Sequence, residues 1–342
     1  MGKAKRAHQV HRLHAWARRC APLPTLLALA VLFAAWPAAS FAQSDYPNRP
    51  IRIVVPYAAG GSTDFIARVV AAELQKALGQ TVFIENRAGA SGNVGTVAVA
   101  RAAPDGYTLL LNTSSFMTNA SLFKPVPYDP IGEFAPIADI ASSPTAIAAN
   151  LDAGINTVAD MIGQAKADPK KLNYGTGGPG SMPHLTMEQL KLRAQVKITH
   201  VPFGGGGPAM QAALAGTIQL TAGNLANMMA QLQSGALKGV ALTSAERWPE
   251  LPNIPTMVES GYPDFVMEGT HILVAPAGTP QAIVDRLGKE TVAAVRRSDV
   301  AARIRQAGLT VVGGGPAELK ARIDKEVPEF RDLIAKVGIP AR

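Results

Sequence analysis

The apolar run Ile51-Arg52-Ile53-Val54-Val55 stops at Pro56, and a helical spacing of apolar residues then begins at Ile66, Val69, Val70, Leu74, Ala77 and Leu78. A short β-branched run reads as a strand and a 3.6-residue period as a helix, so residues 51–55 and 63–78 are assigned accordingly. Between them lies a turn of small residues after one aromatic, Tyr57-Ala58-Ala59-Gly60-Gly61. Ser62 or Thr63 is the expected N-cap, and Asp64 suits the positive end of the helix. Such a turn aims free N–H groups at one point and can hold an anion, although a purely structural turn reads the same way.

The alternation continues with a strand over 81–85, a glycine-rich turn at 89–92, a helix over 94–102, a turn at Pro104-Asp105-Gly106 and a strand over 108–112. This βαβαβ order predicts a parallel sheet with helices on both faces. Residues 134–150 form a long, weakly polar extended stretch. A second α/β series has helices at 158–167, 184–191, 208–215 and 226–234, with strands at 172–174, 197–201, 218–221 and 240–243. Another extended apolar run covers 265–275, and helices at 281–296, 300–307 and 316–337 close the chain. The middle section reads as an inserted second lobe, with the last helices returning to the first. Residues 55–61 are echoed by Val201-Pro202-Phe203-Gly204-Gly205-Gly206-Gly207, so two such turns could face each other across a cleft. With 32 glycines and 26 prolines in the chain, coincidence is the competing reading.

Residues 1–20 carry Lys3, Lys5, Arg6, Arg12, Arg18 and Arg19 and no acid, followed by an apolar segment over 26–36 and then Pro37-Ala38-Ala39-Ser40-Phe41-Ala42. That order is the pattern of a secretory signal, with export to the periplasm and cleavage expected near Ala42. The apolar segment is short for a membrane span. Arg18-Arg19 lacks the apolar residues that follow the pair in a twin-arginine signal, so the export route stays open. Removing the signal takes six of the 33 basic residues, leaving 27 against 25 acidic ones, a net charge of +2 instead of +8. The basic balance therefore belongs to the export segment and does not point to nucleic acid. Cys20 leaves with it, and as the only cysteine it takes away any disulfide or thiol nucleophile. Roughly 300 residues suffice for stability through core packing, as one large or two medium domains.

A second small-residue loop, Tyr174-Gly175-Thr176-Gly177-Gly178-Pro179-Gly180-Ser181-Met182-Pro183-His184, also ends a strand and opens a helix. Thr176 and Ser181 each have one O–H to donate, and the glycines let a ligand approach the backbone. No Lys or Arg lies in this loop, between Pro56 and Asp64, or between Pro202 and Pro208. A carboxylate there would be held by N–H groups, hydroxyls and helix dipoles, a grip that releases readily and suits a carrier. Catalytic patterns are missing. His184, His200 and His271 have no metal-ligand spacing, and no H-E-x-x-H, G-x-S-x-G, Walker or dinucleotide-binding motif occurs. No metal or cofactor is expected. His184 reads first as a capping or packing residue, and Trp248 as loop packing.

Read in order, these motifs make a recognisable set. They are Tyr46-Pro47 through Pro50-Ile51, residues 54–64, Asn86-Arg87-Ala88-Gly89-Ala90-Ser91-Gly92, Pro104-Asp105-Gly106-Tyr107-Thr108-Leu109, and Tyr174-Gly175 with Gly180-Ser181 and His184. Val201-Pro202-Phe203, Leu242-Thr243-Ser244-Ala245, Leu251-Pro252 with Ile254-Pro255-Thr256, and Ala275-Pro276-Ala277-Gly278-Thr279-Pro280 complete it. Over nearly all of the mature chain the sequence resembles the Bug receptors, periplasmic substrate-binding proteins of tripartite tricarboxylate transporters.

The resemblance implies an α/β fold of the periplasmic-binding-protein type, two lobes joined by two crossover strands that close on a ligand like a flytrap. It implies lobe 1 over 43–142 plus 266–342, lobe 2 over 143–265, and crossovers at 136–149 and 266–275. Carried over by position, Tyr57, Ala58, Ala59, Gly60, Ser62 and Thr63 form one jaw, and Thr176, Gly180, Ser181 and His184 the other, with Phe203 nearby. The implied ligand is a small carboxylate: a dicarboxylate, tricarboxylate, amino acid or aromatic acid. The implied partners are membrane transporter subunits, and a monomer is expected. Gly204 stands where the family usually has Lys or Arg, Gln219 and Gly223 where it has aspartates, and Thr270 where it has tryptophan. These departures imply an altered, roomier distal pocket. A ligand-sensing partner of a receptor kinase would use the same closure, and adjacent transporter genes would separate the two readings. A secreted α/β enzyme is the remaining, less favoured class.

Overall fold

Ile51, Ile53, Val54 and Val55 are all buried, because β1 (Ile51–Val55) lies inside a sheet covered on both faces. It pairs in parallel with β2 (Val82–Asn86) on one side and β3 (Thr108–Thr113) on the other. The computed structural model describes residues 46–341, so the export segment lies outside the described residues. Helix α1 (Ser62–Leu78) connects β1 to β2, and α2 (Asn93–Ala100) connects β2 to β3. The N-cap of α1 is Gly61, not Ser62 or Thr63; both of those side chains sit inside the first turn, and neither caps it. Helix α3 (Ser115–Leu122) follows β3 directly and was not legible as a helix, since its eight residues carry too few apolar positions to show a period. Burial of Phe116, Met117 and Leu122 holds it in place.

The extended stretch is one 16-residue strand, β4 (Phe134–Ala149), and it changes partners along its length. Residues 134–144 pair antiparallel with β9 (Glu268–Pro276), and β10 (Thr310–Gly314) joins the opposite edge. Residues 145–149 pair instead with β7 (Leu220–Asn224) and β8 (Lys238–Leu242). The second half also contains α4 (Val158–Ala167), β5 (Asn173–Thr176), α5 (Met182–Ala194), β6 (Thr199–Pro202), α6 (Gly206–Leu214) and α7 (Leu225–Gln233). Helices α8 (Gln281–Arg296), α9 (Ser298–Gln306) and α10 (Pro316–Val337) then return to the first half. The expected parallel sheet is realised only within each half. The long strands β4 and β9 make the joined sheet mixed.

Strand order exposes an internal repeat. The first half runs β2-β1-β3 and the second β6-β5-β7, parallel in both cases. The counterpart of the β1–α1 turn is therefore the β5–α5 loop. The echo seen at 201–207 follows β6, an edge strand, so sequence similarity and topological equivalence part company there.

Each face of the first sheet has its own core. Ile53, Ile66, Leu74, Leu109, Leu287 and Ile304 pack on one side. Val54, Leu110, Phe116, Ile323 and Phe330 pack on the other, where Met182 and Leu185 of α5 join them. Helix α5 thus buries apolar side chains against the first half. The second half is packed around Ile147, Tyr174 and Leu190 on one side and Met228, Trp248 and Leu251 on the other. Among the described residues no helix is long and apolar enough to cross a membrane.

Candidate ligand-binding site

The β1–α1 turn is braced from behind by one carboxylate. Asp64 accepts from the Gly60 amide (3.1 Å), from Arg68 (2.9 and 3.2 Å) and from Asn86 Nδ2 (3.0 Å). Asn86 also donates to Tyr57 O at 3.1 Å, which ties both ends of the turn to β2. Burial opposes ionisation of Asp64, but the bonds from Arg68, Gly60 and Asn86 outweigh it and hold the carboxyl below its ordinary pKa. Gly60 has φ +91° and open space around it, so the turn can present its backbone outward. Ala58, Ala59 and Gly60 are exposed while Ser62 and Thr63 are buried. The Tyr57 hydroxyl points back to β3, within 2.9 Å of both Asn112 Oδ1 and Thr113 Oγ1.

The β5–α5 loop is held by a buried polar cluster. Gly180, at φ +77°, donates its N–H to His184 Nδ1 (3.0 Å) and accepts from Thr118 Oγ1 of α3 (3.0 Å). A Cβ at Gly180 would fall 1.8 Å from Leu122 Cδ1, so both sterics and backbone require glycine there. Because Nδ1 accepts, the His184 proton resides on Nε2, which lies 3.7 Å from Glu188 Oε1. His184 stacks on His200 with centroids 3.9 Å apart, and Thr176 Oγ1 lies 2.8 Å from His200 Nε2. Ser181 Oγ donates to Gly178 O at 2.7 Å. Phe203 sits behind the loop, its N–H on Thr176 O (3.1 Å) and its ring against Gly175.

A recess of about 290 Å³, its open mouth included, lies between the halves. It is lined by Thr113, Ser114 and Ser115, by Ser181, Met182 and Pro183, by Asn224, and by Gly269 and Thr270 of β9. Three helix starts converge on it: Ser114 is the N-cap of α3, Ser181 of α5 and Asn224 of α7. Partial positive charge at helix N-termini takes the place of a basic residue, and no lining residue carries a formal charge. The recess lies at the carboxyl ends of the parallel strands, where open α/β sheets bind ligands. Among the described residues no cluster of His, Cys, Asp or Glu could hold a metal ion.

Of the eleven residues expected at the site, Ser181 lines the recess directly. Tyr57 reaches it through Thr113, and Gly180 and His184 shape the loop that carries Ser181. Ala58, Ala59, Gly60, Ser62 and Thr63 are not among the lining residues; in their turn the Ser62 amide meets Asn227 Oδ1 of α7 at 3.2 Å. Thr176 and Phe203 back the second loop. The hydroxyl run Thr113-Ser114-Ser115 escaped notice, although it follows an apolar strand just as the other two loops do. The departures expected together in the distal pocket separate here. Thr270 lines the recess, but Gln219 precedes β7 and accepts from the Asn173 amide (3.0 Å), at the opposite end of that strand from Asn224. Gly204 is exposed with open space around it, and a Cβ at Gly223 would meet Met228 Sδ at 2.8 Å.

Residues 66–339 match the family described as "Tripartite tricarboxylate transporter family receptor". The protein BugT of Bordetella pertussis (strain Tohama I) is 34% identical over 303 residues, which is 88% of this chain and 93% of BugT. The structure of the periplasmic binding protein BugD superposes with a TM-score of 0.80 at 37% identity, covering 87% of this chain and all (100%) of BugD. An R. palustris protein solved with adipate gives a TM-score of 0.83 at 33% identity, covering 87% of this chain and 100% of that one. The two α/β halves are thus the two lobes of a periplasmic-binding-protein fold. The chain belongs to the receptor family of tripartite tricarboxylate transporters, the Bug-type solute-binding proteins.

Proposed function

We propose that this receptor binds a small carboxylate in the periplasm and delivers it, without catalysis, to the membrane subunits of a tripartite tricarboxylate-type transporter. One observation carries the reading: three helix N-termini and a set of hydroxyls converge on an uncharged recess between the halves. That environment stabilises a carboxylate while leaving it without a fixed counter-ion, so release stays fast. The relative solved with adipate supports the ligand class. The carboxylate is gripped by the turn of Tyr57, Ala58, Ala59, Gly60, Ser62 and Thr63 and by the loop of Thr176, Gly180, Ser181 and His184. Thr113, Ser114 and Ser115 join them.

The hinge lies where β4 changes partners, at Pro144 and Thr145. This supports lobe limits of 43–142 plus 266–342 and 143–265. Inter-lobe bonds such as Thr118 to Gly180 belong to the closed form, so a ligand that touches both lobes shifts the population towards it. The protein acts as a monomer after loss of residues 1–42. Mass spectrometry of solutes co-purifying with the exported protein, followed by calorimetry with a carboxylate panel, tests the reading. A carboxylate that binds and compacts the protein in scattering is the expected result; a co-purified ligand without a carboxyl group overturns it.

A further inference from the structure

Consecutive residues at the start of α7 each serve a different neighbour. Asn224, the N-cap, lines the recess, and Leu225 is fully buried in the core of its own lobe. Ala226 packs instead against the core of the first lobe, and Asn227 accepts from the Ser62 amide of α1. The ligand site and both lobes therefore meet within one helical turn.

The first lobe meets this turn at the bend between α9 and β10. Gly308 there has φ +78°, and a Cβ on it would lie 2.8 Å from Ala226 Cα, 2.9 Å from Ala226 N and 3.1 Å from Leu225 C. All three are backbone atoms of a helix, which cannot swing aside as the end of a side chain can. Backbone thus bears directly on backbone, and glycine is required by both contact and φ. The Gly308 carbonyl accepts from Ser143 Oγ at 3.1 Å, and Ser143 is the residue of β4 just before the change of partners at Pro144 and Thr145. Arg305 of α9 also reaches Glu250 of the second lobe at 3.9 Å, but both side chains are well exposed and the pair adds little. The close approach at Gly308, not the ion pair, fixes the spacing.

We propose that Gly308 is the bearing on which the second lobe turns, and that Gly308 and Ala226 are positioning residues for the ligand grip. A contact beside a hinge stays in place while points further out travel. The bearing therefore sets the angle at which Asn224 faces the opposite wall of the recess and Asn227 meets Ser62. Bulk added there is a wedge: it tilts α7 away from α1 and opens the contacts further from the hinge. The effect on ligand rests on the carboxylate-receptor reading, whereas the effect on the lobes rests on the contacts alone.

Hydrogen exchange at the Ser62 amide reads the lobe contact without any ligand. This N–H lies in the first turn of α1, where a helix supplies no acceptor, so its bond to Asn227 is what protects it. In Gly308→Ala it is expected to exchange about tenfold faster than in the natural protein, within the range of an overpacked contact. Gly278→Ala is the control: Gly278 has φ +84° and only ordinary contacts, at 3.7 and 3.8 Å to Pro104, so it carries the same backbone cost without the wedge. It is expected to melt lower while Ser62 exchange stays unchanged. Ala226→Leu adds bulk from the α7 side with no left-handed residue involved, and it decides the matter if Gly308→Ala does not fold.

Calorimetry with adipate, malate, citrate, glutamate and benzoate is expected to show about a tenfold loss of affinity in both wedge variants and none in Gly278→Ala. Unchanged Ser62 exchange in the wedge variants, equal acceleration in Gly278→Ala, or natural affinity kept by both wedge variants overturns the proposal and leaves the receptor reading standing. Faster Ser62 exchange in the wedge variants, with no member of the panel bound by the natural protein, supports the bearing and overturns the carboxylate reading.

Discussion

The Ser62 amide donates to Asn227 Oδ1 over 3.2 Å, so the first turn of α1 and helix α7 of the other lobe are joined directly, 165 residues apart in sequence. In the proposed flytrap closure the bond belongs to the closed form. Asn227→Ala removes the acceptor without touching the recess, at a cost to the closed form of about 1 kcal/mol. The expected outcome is a roughly fivefold loss of ligand affinity, with scattering showing a more open unliganded protein.

Gly180 is the most demanding position of the second loop. Gly180→Ala adds both the left-handed backbone cost and the collision with Leu122, about 2–4 kcal/mol together. Denaturant unfolding should show that loss. In a Leu122→Ala background the same change should cost clearly less, since the collision is gone and only the backbone term remains.

His184→Phe keeps a ring stacked on His200 but removes the acceptor for the Gly180 amide. A buried N–H left unpaired costs about 1–3 kcal/mol. The melting temperature and carboxylate affinity should fall together, because the same bond shapes the loop that carries Ser181. A drop in melting temperature with unchanged affinity would separate the loop from binding.

His271 of β9 is buried, and that burial, partly offset by the Ala141 backbone, lowers its pKa from 6.5 to about 4. Between these values the unfolded chain holds more protons than the folded one, so stability rises with pH there. It is fully present above about pH 6.5 and is lost as pH falls towards 4. Unfolding midpoints at pH 7.5 and 4.5 should differ by less in His271→Leu than in the natural protein.

Much of this architecture was legible in the sequence because β1 is a β-branched run, glycine and proline turns separate the segments, and the long helices keep a clear period. Helices at 158–167, 281–296 and 316–337 were placed residue for residue. Helix α3 was not, because a helix that starts two residues after a strand ends and buries only three large apolar side chains leaves no pattern to count. Its loss hid Thr113, Ser114 and Ser115. Gln219 was grouped with the distal pocket by resemblance alone, and only the strand direction reveals that it faces the far end of β7. The Asp139–Thr270 bond links residues 131 positions apart, beyond any local reading.

The repeat of β2-β1-β3 in β6-β5-β7 gives the recess two walls of one plan, each offering a first turn and a third-strand helix start. A cavity of that kind has an approximate dyad. A solute with identical ends could enter it either way round, whereas one with unlike ends is sorted by whatever breaks the dyad. Here the break is between Ser114 and its topological counterpart Asn224, a hydroxyl opposite a carboxamide. In the proposed receptor, that inequality would sort the two ends of an unlike-ended cargo.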